Sequence, residues 1–404
     1  MKNNRRVGIW LIGAWGSVAT TTAVGLAAMR QEQQSRVGLV TENGWFEKLN
    51  LDQPEAFVVG GHDIHQGCFV STAQKLHQQA GMFSGNLLTE NSEILAKWTE
   101  NVCPGTVLNA DAKIESLSEV QSTIQCATPA EAIEKIRADI TAFRTTHQLD
   151  QVVVVNTAST EPPFPTHDHL KSLSQLRARL SEKSKEVLPT SSIYAFAAIE
   201  AGCPYVNFTP SLGSSCPAIE ELAREKGIPL SGQDGKTGET LLKTVLAPMF
   251  AARNLKVLSW AGFNILGGGD GFVLNDPANK ATKITSKDQV LSDILGYRPQ
   301  SLVGIEYVES LSDWKTAWDH IHFEGFLGTR MMMQFTWQGC DSILAAPLVI
   351  DLARLALHAQ RRQEVGPLTY LASFFKSPIG TKKQNFFEQL NELWQYSQTQ
   401  PANS

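Results

Sequence analysis

The segment Val7-Gly-Ile-Trp-Leu-Ile-Gly-Ala-Trp-Gly-Ser-Val-Ala constrains the fold most tightly. Val7 to Ile12 is apolar apart from Gly8, the pattern of a central parallel strand covered on both faces. Gly13 and Gly16 then turn the chain, and Ser17 to Met29 reads as a helix whose free N-terminal amides would face a pyrophosphate. The pattern is G-x-x-G-x-x-A, with Ala14 where a dinucleotide loop usually carries its middle glycine. A tight strand-to-helix turn without a ligand is the competing interpretation. The basic start and the apolar run to about Met29 also imitate a signal peptide, but Gly13, Gly16, Ser17 and Thr20 to Thr22 break that run.

A chain of 404 residues exceeds what one hydrophobic core usually supports, which favours two domains. The net charge of -5 and the lack of any dense Lys/Arg run argue against nucleic-acid binding, and no basic amphipathic helix points to a membrane. Six cysteines with no close pair read as reduced thiols of a cytoplasmic protein.

A second strand is expected at Arg36 to Thr41, ending at Glu42, where an acidic residue would grip an adenosine ribose. Asp63, in Gly60-Gly-His-Asp-Ile, competes for that role, and either acid could instead be a solvated loop carboxylate. Gln151 to Asn156 is an unbroken valine run before a polar turn, so Asn156, Ser159 and Thr160 would lie beside the cofactor. Helical spacing covers Pro129 to Phe143, with Thr128 as cap, and His169 to Leu188. Tyr205 to Asn207 reads as a short strand before a loop whose Thr209 and Ser211 could cradle phosphate.

From about Leu255 the texture changes to period-two alternation at Val257 to Ile265, Ser301 to Val308, Thr316 to Phe323 and Met331 to Trp337, a mostly antiparallel sheet. Helices follow at Ser342 to Leu357, Leu368 to Phe375 and Asn385 to Tyr396.

The chemistry concentrates in Asp234-Gly-Lys-Thr-Gly-Glu-Thr together with Asn264, Asp270, Lys283, Lys287, Lys315, Asp341 and Lys376. Clustered cations suit a phosphate and a reacting carbonyl, which with the nucleotide signature suggests a nicotinamide enzyme acting on a phosphorylated sugar. Lys283 and Lys287 also fit the wet face of a helix that includes Lys280. Lys376, between Phe374-Phe375 and Pro378, sits in an apolar setting where burial would lower its pKa. His62-x-x-His65, His167-x-His169 and His320-x-His322 have spacings a metal could use, but none makes a convincing cage.

The chain closely resembles the inositol-3-phosphate synthases, also called myo-inositol-1-phosphate synthases, in particular the shorter archaeal and bacterial branch. The likeness runs nearly end to end through Leu11-Ile-Gly-Ala-Trp-Gly, Asn156-Thr-Ala-Ser-Thr-Glu-Pro, Asn207-Phe-Thr-Pro-Ser, Asp234-Gly-Lys-Thr-Gly-Glu-Thr, Asn264-Ile-Leu-Gly, Gly269-Asp-Gly, Lys315-Thr-Ala, Ala345-Ala-Pro-Leu-Val-Ile-Asp and Phe374-Phe-Lys-Ser-Pro. Trp314 before Lys315, the triple glycine Gly267 to Gly269 and Met331 to Met333 depart from the family pattern.

The resemblance implies an α/β fold. A Rossmann-type NAD-binding domain, 1–243 and 342–404, would be interrupted by a mostly antiparallel α+β catalytic and oligomerisation domain, 244–341. It implies a cytoplasmic homotetramer that serves inositol and phospholipid biosynthesis by converting D-glucose 6-phosphate to 1D-myo-inositol 3-phosphate with no net redox change. The implied NAD contacts are Gly13, Ala14, Trp15, Gly16, Ser17, Val18, Glu42, Asp63, Asn156, Ser159, Thr160 and Asp234. Lys283 would assist oxidation at carbon 5, Lys376 would support the aldehyde oxygen, and Lys287 and Lys315 would hold phosphate and hydroxyls with Thr209, Ser211 and Asn264. Asp234 and Asp270 would join the lysine network, and Asp341 would orient a lysine or sugar hydroxyl. No histidine metal site is implied; a divalent cation bridging phosphate stays open. The alternatives are a carbocyclase for another hexose phosphate such as fructose 6-phosphate, a dehydrogenase that releases NADH, and a non-catalytic binding protein.

Overall fold

The computed structural model describes residues 5–31, 35–84, 86–275 and 290–398. Two sheets organise them. The larger is entirely parallel and seven-stranded, in the order β11-β6-β5-β4-β1-β2-β3. Its strands are β1 (Val7–Ile12), β2 (Phe57–Asp63), β3 (Val102–Pro104), β4 (Gln151–Asn156), β5 (Tyr205–Asn207), β6 (Pro229–Gly232) and β11 (Gly366–Pro367). The order reverses between β1 and β4, and that switch point is where a doubly wound sheet opens a crevice at its strand C-termini. Every residue of β1 is buried, as its unbroken apolar run requires.

Alternate residues of β1 feed two cores. Val7, Ile9 and Leu11 face the helices Ser17–Ala28 and Asp341–Arg361. Trp10 and Ile12 face Pro129–Thr146 and Thr190–Glu200. Pro129–Thr146 starts as its sequence demands: Glu131 N–H donates to Thr128 Oγ1 at 3.3 Å, and Ala127 N–H donates to the Glu131 carboxylate at 2.8 Å. Asp341–Arg361 is long and apolar enough to cross a membrane, yet 78% of its apolar window is buried inside the fold, the behaviour of a core helix.

The smaller sheet has the order β10-β9-β7-β8, from β7 (Lys256–Leu266), β8 (Gln300–Tyr307), β9 (Trp314–Glu324) and β10 (Arg330–Cys340). β7 pairs with β9, and β9 with β10, antiparallel, whereas β7 and β8 are parallel. One face turns inward to Phe250 and Trp260; the other leaves Phe263, Leu302, Trp318 and Met332 exposed.

Three expected elements differ. No strand forms over Arg36 to Thr41: the chain there is irregular and runs into a 3-10 turn at Val40–Glu42. The physical reason is a distant carboxylate. Asp351, buried in the helix Asp341–Arg361, accepts the Val40 N–H at 2.6 Å, the Thr41 N–H at 3.1 Å and the Thr41 hydroxyl, which takes those amides out of any ladder. The strand after β1 is instead Phe57–Asp63. The helix expected over His169 to Leu188 is a 3-10 turn at Asp168–Lys171 and a helix at Leu173–Arg179. Leu368 to Phe375 is a 3-10 turn, Thr369–Phe374, because its end must straighten to pair with residue 235.

Candidate active site

A cleft opens at the C-terminal ends of β1, β2, β4, β5 and β6, and it is walled on the far side by Leu266 to Gly269, at and just past one strand end of the smaller sheet, and by Asp313 and Lys315, at the start of another. Its floor at the switch point is the glycine loop. Gly13 has φ +79°, and a Cβ there would meet Ala158 Cα at 2.8 Å, so the loop tolerates no side chain against the end of β4. Gly13 and Ala14 both donate their N–H to the His62 carbonyl. Ala14 replaces the usual glycine because the partner strand makes room: a Cβ on Gly61 would lie 3.0 Å from Ala14 Cβ and 2.2 Å from the Leu11 carbonyl oxygen. Gly16 starts the helix Ser17–Ala28 with no side-chain cap, and Gly16, Ser17 and Val18 line the cleft. An uncapped helix N-terminus beside a glycine turn is a ready anion cradle.

Of the two competing acids, Asp63 lines the cleft at the end of β2. Its carboxylate accepts the Trp15 N–H at 2.8 Å and the Ile64 N–H at 2.7 Å, and His65 Nδ1 lies 2.9 Å away. That partner raises the His65 pKa. Glu42 does not line the cleft and pairs with Arg354 at 2.7 Å. Trp15 packs its indole over Gly67, where a Cβ would come within 2.6 Å of the ring.

Asn156, Ser159, Thr160 and Thr209 line the opposite wall. Asn156 Nδ2 donates to Asn207 Oδ1 and to Thr209 Oγ1, both at 3.3 Å. Ser211 lies behind that wall, its hydroxyl accepting the Glu161 N–H at 3.0 Å. Burial raises the Glu161 pKa against the opposing donation from Ser191, whose amide and hydroxyl both point at its carboxylate.

The segment 232–236 is stitched on both sides. Asp234 N–H donates to the Thr209 carbonyl, Gly235 N–H to Phe208, and Lys236 N–H to Phe374, while Lys376 N–H donates back to the Asp234 carbonyl at 2.7 Å. Gly235 is required there because a Cβ would stand 2.2 Å from the Phe208 ring. This pairing brings the Lys376 Nζ to 2.7 Å from Asp234 Oδ1, with side-chain exposures of only 8% and 4%. Three residues beyond Asp234, Thr237 Oγ1 donates to Asp341 Oδ1 at 3.2 Å, and Lys315 Nζ lies 3.8 Å from the same oxygen. Asp234, Lys315, Asp341 and Lys376 therefore share one cleft with the glycine loop.

Asn264 is placed elsewhere: it is buried, donates to Glu239 Oε2 at 2.5 Å and does not line the cleft. Lys283, Lys287 and the Asp270 side chain lie outside the described residues. Trp314 donates its indole N–H to the Ala80 carbonyl at 2.8 Å, a packing role. Among the described residues no three His, Cys, Asp or Glu side chains form a metal-binding group. His62 accepts the Trp10 indole N–H at 2.8 Å and faces Asp139, and burial lowers its pKa.

Two buried groups were not anticipated from the sequence. Asp313 lines the cleft next to Asp341. Lys236, inside the recognised motif, is buried with its Nζ 2.7 Å from Gln389 Oε1 and over the Phe386 ring, and desolvation with repulsion from Lys376 lowers its pKa to about 7. The only available signal for it was its alternation with Asp234 along an extended motif, which says nothing of the helix that covers it.

A family model described as myo-inositol-1-phosphate synthase, of the NAD-binding type, matches residues 7–397. The chain is 33% identical over 395 residues to inositol-3-phosphate synthase 1 of Bacteroides thetaiotaomicron, covering 93% of this chain and 90% of that protein. It is 29% identical to the inositol-3-phosphate synthase of Drosophila melanogaster, over 89% of this chain and 68% of that protein. In fold it is similar to the crystal structure of inositol-3-phosphate synthase from Caenorhabditis elegans, with a TM-score of 0.87 at 24% identity over 100% of this chain and 88% of that one. A myo-inositol-1-phosphate synthase-related protein from Thermotoga maritima superimposes with a TM-score of 0.79 at 23% identity, over 99% and 100% of the two chains. With the glycine cradle, the lysine and aspartate pairs and a match that spans both sheets, the chain belongs to the myo-inositol-1-phosphate synthase family.

Proposed function

We propose that this chain is an inositol-3-phosphate synthase that converts D-glucose 6-phosphate to 1D-myo-inositol 3-phosphate with no net redox change. The observation that carries the reading is the convergence of Lys376–Asp234 and Lys315–Asp341 on the cleft of the glycine loop. NAD, when bound, supplies the oxidant for one sugar hydroxyl and, once reduced, the reductant for the resulting ketone. Gly13, Gly16 and the amides of the helix Ser17–Ala28 would take its pyrophosphate, Asp63 its ribose, and Asn156, Ser159 and Thr160 would flank its nicotinamide end. Asp63 is favoured over Glu42 because it ends the strand beside β1, while Glu42 is held by Arg354.

Each chemical step places negative charge on an oxygen, and a buried ammonium is the group that stabilises it without moving. Lys376, held by Asp234 in a nearly dry setting, would support the aldehyde oxygen during ring closure. Lys315, steered by Asp341, would hold phosphate or hydroxyls, and Asp341 would in turn orient that lysine or a sugar hydroxyl. Lys283, Lys287 and Asp270 complete the expected set, with Lys283 assisting oxidation at carbon 5. Among the described residues no group of three His, Cys, Asp or Glu side chains is set to hold a divalent cation, and chelation tests whether the reaction uses one.

The same reading takes 1–243 and 342–404 as the nucleotide-binding domain and 244–341 as the catalytic and oligomerisation domain. The exposed Phe263, Leu302, Trp318 and Met332 on one sheet face support a homotetramer assembled there, which light scattering checks. Six free cysteines support a cytoplasmic location.

The deciding experiment incubates the protein with D-glucose 6-phosphate and a trace of NAD, follows NADH absorbance and identifies the product by NMR. Cyclitol phosphate in excess of the NAD, without accumulated NADH, supports the proposal. NADH rising in step with an oxidised sugar would mean a dehydrogenase, and turnover only with fructose 6-phosphate would mean another carbocyclase.

A further inference from the structure

We propose that Asp313 is the positioning residue that fixes the Lys315–Asp341 pair, a role that rests on the catalytic reading above. Asp313 immediately precedes β9 and is almost fully buried. Its backbone carbonyl accepts the Asp341 N–H at 2.9 Å. One carboxylate oxygen, Oδ2, accepts the Ser342 N–H at 2.9 Å and the Cys340 S–H at 3.0 Å; the other, Oδ1, accepts the Ser342 hydroxyl at 2.7 Å. A single residue thus gathers residues 340 to 342, the junction between β10 and the helix Asp341–Arg361.

That junction needs the help. Cys340, at the cap position of the helix, supplies no side-chain cap hydrogen bond, so the amide of Ser342 would otherwise stay unpaired in a buried place. Asp313 caps the helix from the neighbouring strand and puts a negative charge at its N-terminus. The helix start carries Asp341, and β9 carries Lys315, so the clamp ties together the two elements that bear the pair. Both oxygens of Asp313 already receive donors, which leaves it poorly placed to take a proton from a substrate and marks it as positioning rather than catalytic.

The clamp is anchored in turn. Ser312 has φ +51° and ψ -124°, a conformation that costs a non-glycine residue ~1–3 kcal/mol and persists only where its surroundings dictate it. The dictating neighbour is Gly267: a Cβ there would meet the Ser312 carbonyl oxygen at 2.3 Å, so the two cleft-wall loops interlock backbone against backbone. Burial raises the Asp313 pKa, donation from Cys340 and Ser342 opposes that, and the neighbouring Asp341 charge adds to the rise.

The test compares the full-length wild type with Asp313→Asn, which keeps the shape but has one acceptor oxygen for three donors. Lysine reactivity toward an acetylating reagent at fixed pH is mapped by mass spectrometry, alongside kcat and KM for D-glucose 6-phosphate and NAD. Loss of the clamp releases Asp341 from its place 3.8 Å from Lys315 Nζ, so the ammonium loses its steering contact and becomes more accessible to the reagent. Its labelling should rise by about threefold or more, the effect of losing ~0.7 kcal/mol of ion pairing, while that of Lys376 stays constant. In the cyclisation assay kcat, normalised to the folded fraction given by the melting curve, should fall about tenfold or more with KM for NAD unchanged.

A folded Asp313→Asn protein with wild-type Lys315 reactivity overturns the proposal. Should that variant fail to melt cooperatively, Ser342→Ala removes one donor and is judged by the same labelling ratio. If the wild type forms no cyclitol phosphate, the catalytic reading fails, and the Lys315 labelling ratio still decides the role of Asp313.

Discussion

Replacing Lys376 with Met should cost the fold ~3–5 kcal/mol, the usual effect of removing one partner from a buried ion pair. Lys376 Nζ and Asp234 Oδ1 are 2.7 Å apart, so at an effective dielectric of about 20 their attraction is ~6 kcal/mol. Desolvation of the two side chains, 8% and 4% exposed, consumes most of that while the pair is intact. Met fills the space of the lysine stem, so the loss is electrostatic: the desolvated Asp234 carboxylate loses the cation 2.7 Å away. The assay is urea unfolding followed by tryptophan fluorescence, with Lys376→Met, Asp234→Asn and the double variant in a cycle. Asn suits the cycle because Asp234 has φ +64°, a conformation asparagine tolerates well. The double variant should recover more than half of the single-lysine loss. A Lys376→Met protein within about 1 kcal/mol of wild type, or a cycle with no coupling, would refute the reasoning, because the pair would then behave as a solvated one.

Gly13→Ala should weaken NAD binding about tenfold or more in calorimetry, since its Cβ would press on Ala158 at 2.8 Å from a backbone already at φ +79°. Lys236→Met should stabilise the protein near neutral pH by about 2 kcal/mol, after subtracting the cost of leaving Gln389 Oε1 without a donor. The sign follows from a folded pKa of about 7 against an ordinary 10.5: the unfolded chain binds more protons between those values, so the destabilisation is full below pH 7 and fades toward pH 10. His358, buried beside Arg361 and Arg362, has its pKa lowered to about 4, chiefly by desolvation. Its unfolded form gains a proton near pH 6.5 that the folded form refuses, so stability should drop by up to ~3 kcal/mol as pH falls from about 6.5 to about 4. His358→Asn should flatten that limb in pH-dependent unfolding.

The parts of the fold that were legible in the sequence are those whose signal is local. The run Val7–Ile12, its glycines and the Thr128 cap each act through residues within one or two turns, and they form as expected. Arg36 to Thr41 has strand composition too, but its conformation is decided by Asp351, 311 residues from Val40. Alternation located β7 and could not say which face is inward; register against β9 buries Asn264 next to Glu239, away from the cleft. The cleft-wall residue Asp313 was invisible for the same reason, being an isolated acid whose meaning comes from three donors in a helix start almost thirty positions later.

The stitching of residues 232–236 to 374–379 has a consequence for how the enzyme comes into being. Six of the seven strands of the large sheet, with the glycine cradle, are translated before residue 233, yet Lys376 meets Asp234 only when the far end of the polypeptide returns. A growing chain would thus have made its glycine cradle long before the helix Asp341–Arg361 could close the core behind β1 or Lys376 could reach the cleft. Truncation ahead of Phe374 would remove Lys376 together with the core residues Phe374, Phe375 and Leu393, so fold and chemistry should fail together, and turnover doubles as a readout of whether synthesis and folding have run to completion.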